Sequence, residues 1–124
     1  MKKFLILGLF LALTGCENVV LRSEDVGKTL NLSVGEKFSI RLPENPTTGY
    51  GWEMITKPEN QDVVLEVKNE FLPDQRGLIG AGGERVFQYQ AKESGKVDIY
   101  GFYRRPWEKD VTPARSVMYQ IIVE

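Results

Sequence analysis

The chain has 124 residues, 42% of them hydrophobic and 27% charged, with 16 basic against 17 acidic side chains, one cysteine and no histidine. That length suits one domain with a real core, and the balanced charge excludes the basic face that nucleic-acid binding requires. A single cysteine permits no internal disulfide, and without histidine the usual catalytic triads and His/Cys metal sites are excluded, so neither a cofactor nor a metal is expected.

Lys2 and Lys3 precede an apolar run from Phe4 to Leu13, which is too short to span a bilayer and is laid out as a secretory signal peptide over residues 1–15. Its end, Leu13-Thr14-Gly15-Cys16, resembles the bacterial lipobox, in which cleavage before the cysteine accompanies its acylation. The resemblance implies lipid on Cys16, a domain tethered to the cell envelope rather than spanning a membrane, and, from Glu17, the outer membrane or cell surface rather than the inner membrane. Residues 16–28 show no sustained period and read as a tether, leaving 29–124 as the folded domain.

Period-two alternation then begins. Leu30, Leu32 and Val34 predict a first strand, Gly35-Glu36 a tight turn, and Phe38, Ile40 and Leu42 a second strand. Tyr50 to Ile55 predicts a third, with Trp52 and Met54 inward, and Val63, Leu65 and Val67 a fourth. A fifth runs from Arg85 to Ala91, Glu93-Ser94-Gly95 turns it into a sixth carrying Val97, Ile99, Gly101 and Tyr103, and Val117, Tyr119, Ile121 and Val123 make a seventh. About seven short strands without helical period predict an all-β, immunoglobulin-like antiparallel β-sandwich.

The links after the second, fourth and sixth strands are longer than the others and hold unusual residues. In a sandwich whose links alternate between two ends, these three emerge together. The first, Asn45-Pro46-Thr47-Thr48-Gly49-Tyr50, is uncharged and constrained by Pro46, although alone it fits an ordinary turn. The second, 69–84, is long for a compact domain and ends in Gly80-Ala81-Gly82-Gly83, where no Lys-Ser or Lys-Thr follows to make a phosphate loop. The third begins Arg104-Arg105-Pro106-Trp107, residue types enriched at binding hot spots. Trp52 reads as core, whereas Trp107 fits either core or a binding surface.

The Asn45–Tyr50 run followed by Trp52, the Gly80–Gly83 run followed by Phe87, and Arg105-Pro106-Trp107 stand in an order and spacing that resemble the chagasin family, over about Gly27 to Val123. The resemblance implies a monomeric inhibitor of papain-like cysteine proteases that is reversible and competitive. In it Asn45, Pro46, Thr47, Thr48, Gly49 and Tyr50 enter the active-site cleft, Gly80, Ala81, Gly82 and Gly83 lie along one side, and Arg105, Pro106 and Trp107 pack against the other. An uncharged loop suits an occluded cleft, since it buries no unpaired charge.

Two rival readings come from other classes. An enzyme would need carboxylate or serine chemistry, and Glu84, Glu93, Asp98, Glu108 and Asp110 are scattered with nothing to select a catalytic pair. An envelope lipoprotein that binds a protein or glycan through the same loops, without inhibition, is the alternative that fold alone leaves open.

Overall fold

Each alternating run becomes a strand with one face in the core. In the computed structural model, which describes residues 19–74, 80, 82–108 and 110–124, the strands are β1 (Val19–Leu21), β2 (Thr29–Leu32), β3 (Lys37–Glu44), β4 (Gly51–Ile55), β5 (Val64–Pro73), β6 (Gly83–Ala91), β7 (Gly95–Arg104) and β8 (Arg115–Val123). They form two four-stranded sheets, ordered β1-β3-β6-β5 and β2-β8-β7-β4. The fold is an all-β, immunoglobulin-like two-sheet sandwich.

Phe38, Ile40 and Leu42 of β3 and Phe87, Tyr89 and Ala91 of β6 meet Val97 and Ile99 of β7 and Val117, Tyr119, Ile121 and Val123 of β8 in one buried cluster. The Phe38 and Tyr89 rings stack 5.2 Å apart. Tyr119 is fully buried, and its hydroxyl donates to Arg22 O at 2.8 Å, so the one polar atom its ring carries inward is satisfied.

Three features depart from the expectation. First, β1 arises within the stretch read as a tether, giving eight strands among the described residues. It pairs in parallel with β3, Val19 opposite Phe38, and β2 pairs in parallel with β8, so the sandwich is not purely antiparallel. The chain crosses between sheets after β1, and each N-terminal strand docks on an open edge in the direction that path dictates, without a hairpin. Second, Val34 leaves the strand pattern and sits exposed in the turn before β3.

Third, β5 departs from the expected alternation: Val63 and Val64 are both buried, whereas Leu65 and Val67 are exposed, and a bulge interrupts the ladder between Glu66 and Lys68. Glu66 pairs with Tyr89 at that point, and burial pushes its carboxyl up. Beyond the bulge β5 and β6 continue as a long hairpin as far as Pro73 opposite Gly83, so the connection expected over 69–84 shrinks to 74–82. Pro43 is tolerated in an inner strand because β1 pairs only with Phe38 to Ile40, and no ladder bond on that side is lost at position 43.

Candidate functional site

The segment between β3 and β4 is built by its own side chains. Pro46 forces Asn45 into extended geometry, φ −128° and ψ 97°, and opens a short 3-10 turn, Pro46–Thr48. Asn45 Oδ1 caps it, accepting from Thr47 N at 3.1 Å and Thr47 Oγ1 at 2.6 Å. Asn45 O accepts from Thr48 N at 3.1 Å and Thr48 Oγ1 at 2.7 Å, and Thr48 Oγ1 in turn accepts from Tyr50 N at 3.3 Å. Both threonine hydroxyl protons therefore point back into the loop. Gly49 ends the turn at φ +85°, where its N–H donates to Pro46 O at 3.0 Å.

A polar and aromatic layer holds this turn from below. Glu44 continues the inward series of β3 and is only 5% exposed. Its Oε1 accepts from Trp52 N at 3.1 Å, and its Oε2 from Arg85 Nε at 3.1 Å and Nη2 at 2.7 Å. A buried carboxylate is tolerated here because a guanidinium and a backbone donor satisfy it. Trp52, 8% exposed, donates from Nε1 to Pro43 O at 2.8 Å, which agrees with its expected place in the core. Tyr103 packs against Trp52 at 4.9 Å and Tyr50 at 5.3 Å, and its hydroxyl oxygen accepts from Asn45 N at 3.2 Å.

The other two loops are tied to this turn. Asn45 Nδ2 donates to Gly80 O at 2.7 Å, bridging to the loop between β5 and β6, which Asp74 N closes on Gly82 O at 2.9 Å. The glycines there answer to close packing. A Cβ on Gly82 would lie 2.9 Å from Glu44 O, and one on Gly83 would collide with Leu72 O. Gly83 in fact lies inside β6, between Glu44 and Pro73, rather than in a loop. Ala81 and Cys16 lie outside the described residues.

From the loop between β7 and β8, the Arg105 guanidinium sits over the Tyr50 ring at 4.4 Å and donates from Nε to Thr48 O at 3.1 Å. Arg105 thus spends its donors inside the molecule, as a brace between two loops. Trp107 is 68% exposed, which excludes the core reading, and a Cβ on Gly49 would stand 2.6 Å from its Cη2. An exposed indole is thereby held against the first loop. Asn45–Tyr50, Gly80 and Arg105–Trp107 form one continuous edge.

The family model that matches this chain, over residues 31–122, is that of the chagasin family peptidase inhibitors, I42. The chain belongs to the chagasin family. Chagasin of Trypanosoma cruzi is 40% identical over 83 residues, 65% of this chain and 76% of its own length. Amoebiasin-2 of Entamoeba histolytica is 29% identical across 99% of both chains. Among solved structures, the cysteine protease inhibitor EhICP2 of Entamoeba histolytica superposes with a TM-score of 0.75 at 27% identity, covering 86% of this chain and 95% of that one. This chagasin-family chain is a cysteine protease inhibitor and not an enzyme.

The residues that sequence reading missed are the supports: Glu44, Arg85 and Tyr103. A signal for two of them was present. Glu44 extends the series Phe38, Ile40, Leu42, and Arg85 heads the series Phe87, Tyr89, Ala91, so the alternation itself turns an acid and a base inward on neighbouring strands.

Proposed function

We propose that this chain inhibits papain-like cysteine proteases reversibly and competitively by placing the Asn45–Tyr50 turn in the active-site cleft, with Gly80–Gly82 and Arg105–Trp107 gripping its two sides. The observation that carries this reading is the pair of links from the turn to its neighbours, Asn45 Nδ2 to Gly80 O and Arg105 Nε to Thr48 O. They make three loops a single preorganised edge, so little conformational entropy remains to be lost on docking. The turn brings no charge into an occluded site. The carbonyls of Asn45, Pro46 and Thr48 accept hydrogen bonds within the domain. A turn folded on itself does not lie extended like a substrate, so the thiolate is offered no scissile carbonyl and inhibition comes from occupation.

Titration of papain with the purified protein, at several substrate concentrations, tests this. Rising substrate should relieve inhibition, and no inhibition at micromolar protein, on the order used to detect weak complexes, would refute the reading.

From the lipobox-like Leu13-Thr14-Gly15-Cys16 we further propose that the protein is held at the cell envelope by lipid on Cys16. Because β1 runs parallel to β3, Val19 lies at the pole opposite Glu44 and the binding edge. A tether entering there leaves the edge free to meet a protease. Radiolabelled palmitate should enter the wild-type protein in bacteria and not Cys16→Ser; equal labelling would exclude Cys16 as the anchor.

A further inference from the structure

Strand β5 ends the sheet β1-β3-β6-β5, and among the described residues no backbone hydrogen bond reaches it from the side away from β6. It has ten residues, against five in β4, four in β2 and three in β1, the strands at the other sheet edges. It also carries three exposed large hydrophobic side chains, Leu65, Val67 and Leu72. A long apolar edge of this kind takes up another strand unless a bulge or charge guards it. The bulge lies between Glu66 and Lys68, and from Lys68 to Pro73 the ladder with β6 is regular. The guard on that regular stretch is charge. Lys68 and Glu70, opposite Gln88 and Val86, share the outer face, both exposed, with Nζ and Oε2 3.9 Å apart.

We infer that β5 pairs antiparallel with β5 of a second copy of this chain, about a two-fold axis through Asn69. Charge complementarity selects both the occupant and the register. Directly opposed residues of an antiparallel pair share a face, so the axis must pass through a residue rather than between two. Centring on Asn69 sets Lys68 of each copy opposite Glu70 of the other and brings Val67 beside Phe71. Centring on Lys68 or on Glu70 opposes that residue to its own copy, and centring on Phe71 leaves Glu70 facing Leu72. Like charges directly opposite destabilise a strand pair, whereas opposite charges support it. The charges that guard this edge against other strands therefore match a second copy of it. The result is one continuous sheet across two copies, in place of the monomer that the family resemblance implies. Pro73, opposite Gly83, marks the end of β5 nearest the three-loop edge, so the two such edges point in opposite directions.

The test is sedimentation equilibrium of the purified protein up to about 100 micromolar, a range that resolves weak self-association. It is run on the wild-type protein, Lys68→Glu, Glu70→Lys, an equimolar mixture of these two, and the double variant. The wild-type protein should dimerise. Each single reversal should weaken dimerisation about tenfold or more, because it sets like charges opposite at two places. The mixture should dimerise again, since the acidic strand of one variant then meets the basic strand of the other, and the double variant should match the wild-type protein. Both side chains are exposed, so urea midpoints should stay near the wild-type value. A wild-type protein that stays monomeric overturns the proposal. So does a dimer that ignores the single reversals, or one that the mixture fails to restore. None of these outcomes depends on inhibition of a protease.

Discussion

Asn45 and Gly80, 35 positions apart in sequence, are joined by a 2.7 Å hydrogen bond from the asparagine Nδ2 to the glycine carbonyl. The same side chain caps the 3-10 turn through Oδ1. Asn45 therefore sets both the shape of the first loop and its attachment to the second. Asn45→Ala should cost about 1 kcal/mol of stability, the usual worth of a cap. It should raise Ki against papain by a larger factor than that loss predicts, because both loops lose their fixed positions. Asn45→Asp keeps the capping oxygen and loses the donor, so its Ki should fall between the two. Equal Ki for all three proteins would show that the turn holds its shape without Asn45.

Gly49 and Gly80 both take positive φ, but among the described residues only Gly49 faces a neighbour. Gly49→Ala should combine backbone strain of about 1 kcal/mol with displacement of the Trp107 indole, whereas Gly80→Ala should bring the strain alone. Tryptophan fluorescence distinguishes them, with a shifted spectrum expected for Gly49→Ala and an unchanged one for Gly80→Ala.

The two tryptophans should separate binding from folding. Trp107→Ala removes an exposed ring and should weaken inhibition with the thermal midpoint nearly unchanged. Trp52→Ala empties part of the core and should cost about 3–5 kcal/mol in urea unfolding. Unfolding of Trp107→Ala would show instead that its contact with Gly49 is structural.

Glu44 pairs with Arg85 beneath the turn. Glu44→Ala takes the carboxylate from Arg85, leaving it only the Nη1 bond to Asn69 Oδ1, and leaves the Trp52 N–H unpaired, and should destabilise by roughly 3–5 kcal/mol in urea unfolding. Glu44→Gln keeps acceptor and shape and should cost less. A loss below about 1 kcal/mol for the alanine variant would mean that water replaces the carboxylate.

Burial pushes the Tyr119 phenol up to about 12, with Asp25 and Glu24 adding to it, and burial moves Tyr89 upward as well, with Glu66 assisting. The folded state thus holds phenolic protons that the unfolded chain releases near its ordinary value of about 10. Stability should be full below pH about 10 and fall as pH rises from there toward 12, because only the unfolded state gains by ionising. Urea midpoints between pH 9 and 11, roughly bracketing the phenol range, should drop less steeply for Tyr119→Phe than for the wild-type protein. Parallel slopes would contradict the assignment.

How much of this was legible in sequence depended on whether a feature is local. Alternation in β3, β6, β7 and β8 marks inward residues directly, and the core follows it from Phe38 to Val123. In β5 Val63 and Val64 are both buried and Leu65 already faces out, so the inward register differs from the alternating set before the bulge between Glu66 and Lys68 is reached, which no period-two reading detects. β1 spans only Val19–Leu21 and is defined by its partner, not by its own pattern. At the three-loop edge the loop motifs were legible as motifs, but the spending of Arg105 on Tyr50 and Thr48 depends on contacts between residues more than fifty positions apart.

The central claim is that a preorganised edge occupies a papain-like cleft without being cut. A titration of papain against the purified protein, followed by mass spectrometry of the mixture after prolonged incubation, tests it most directly. The account predicts inhibition relieved by substrate, with the inhibitor recovered at its original mass. Absence of inhibition at micromolar concentration, on the order that detects weak complexes, or cleavage between Asn45 and Tyr50, would contradict it.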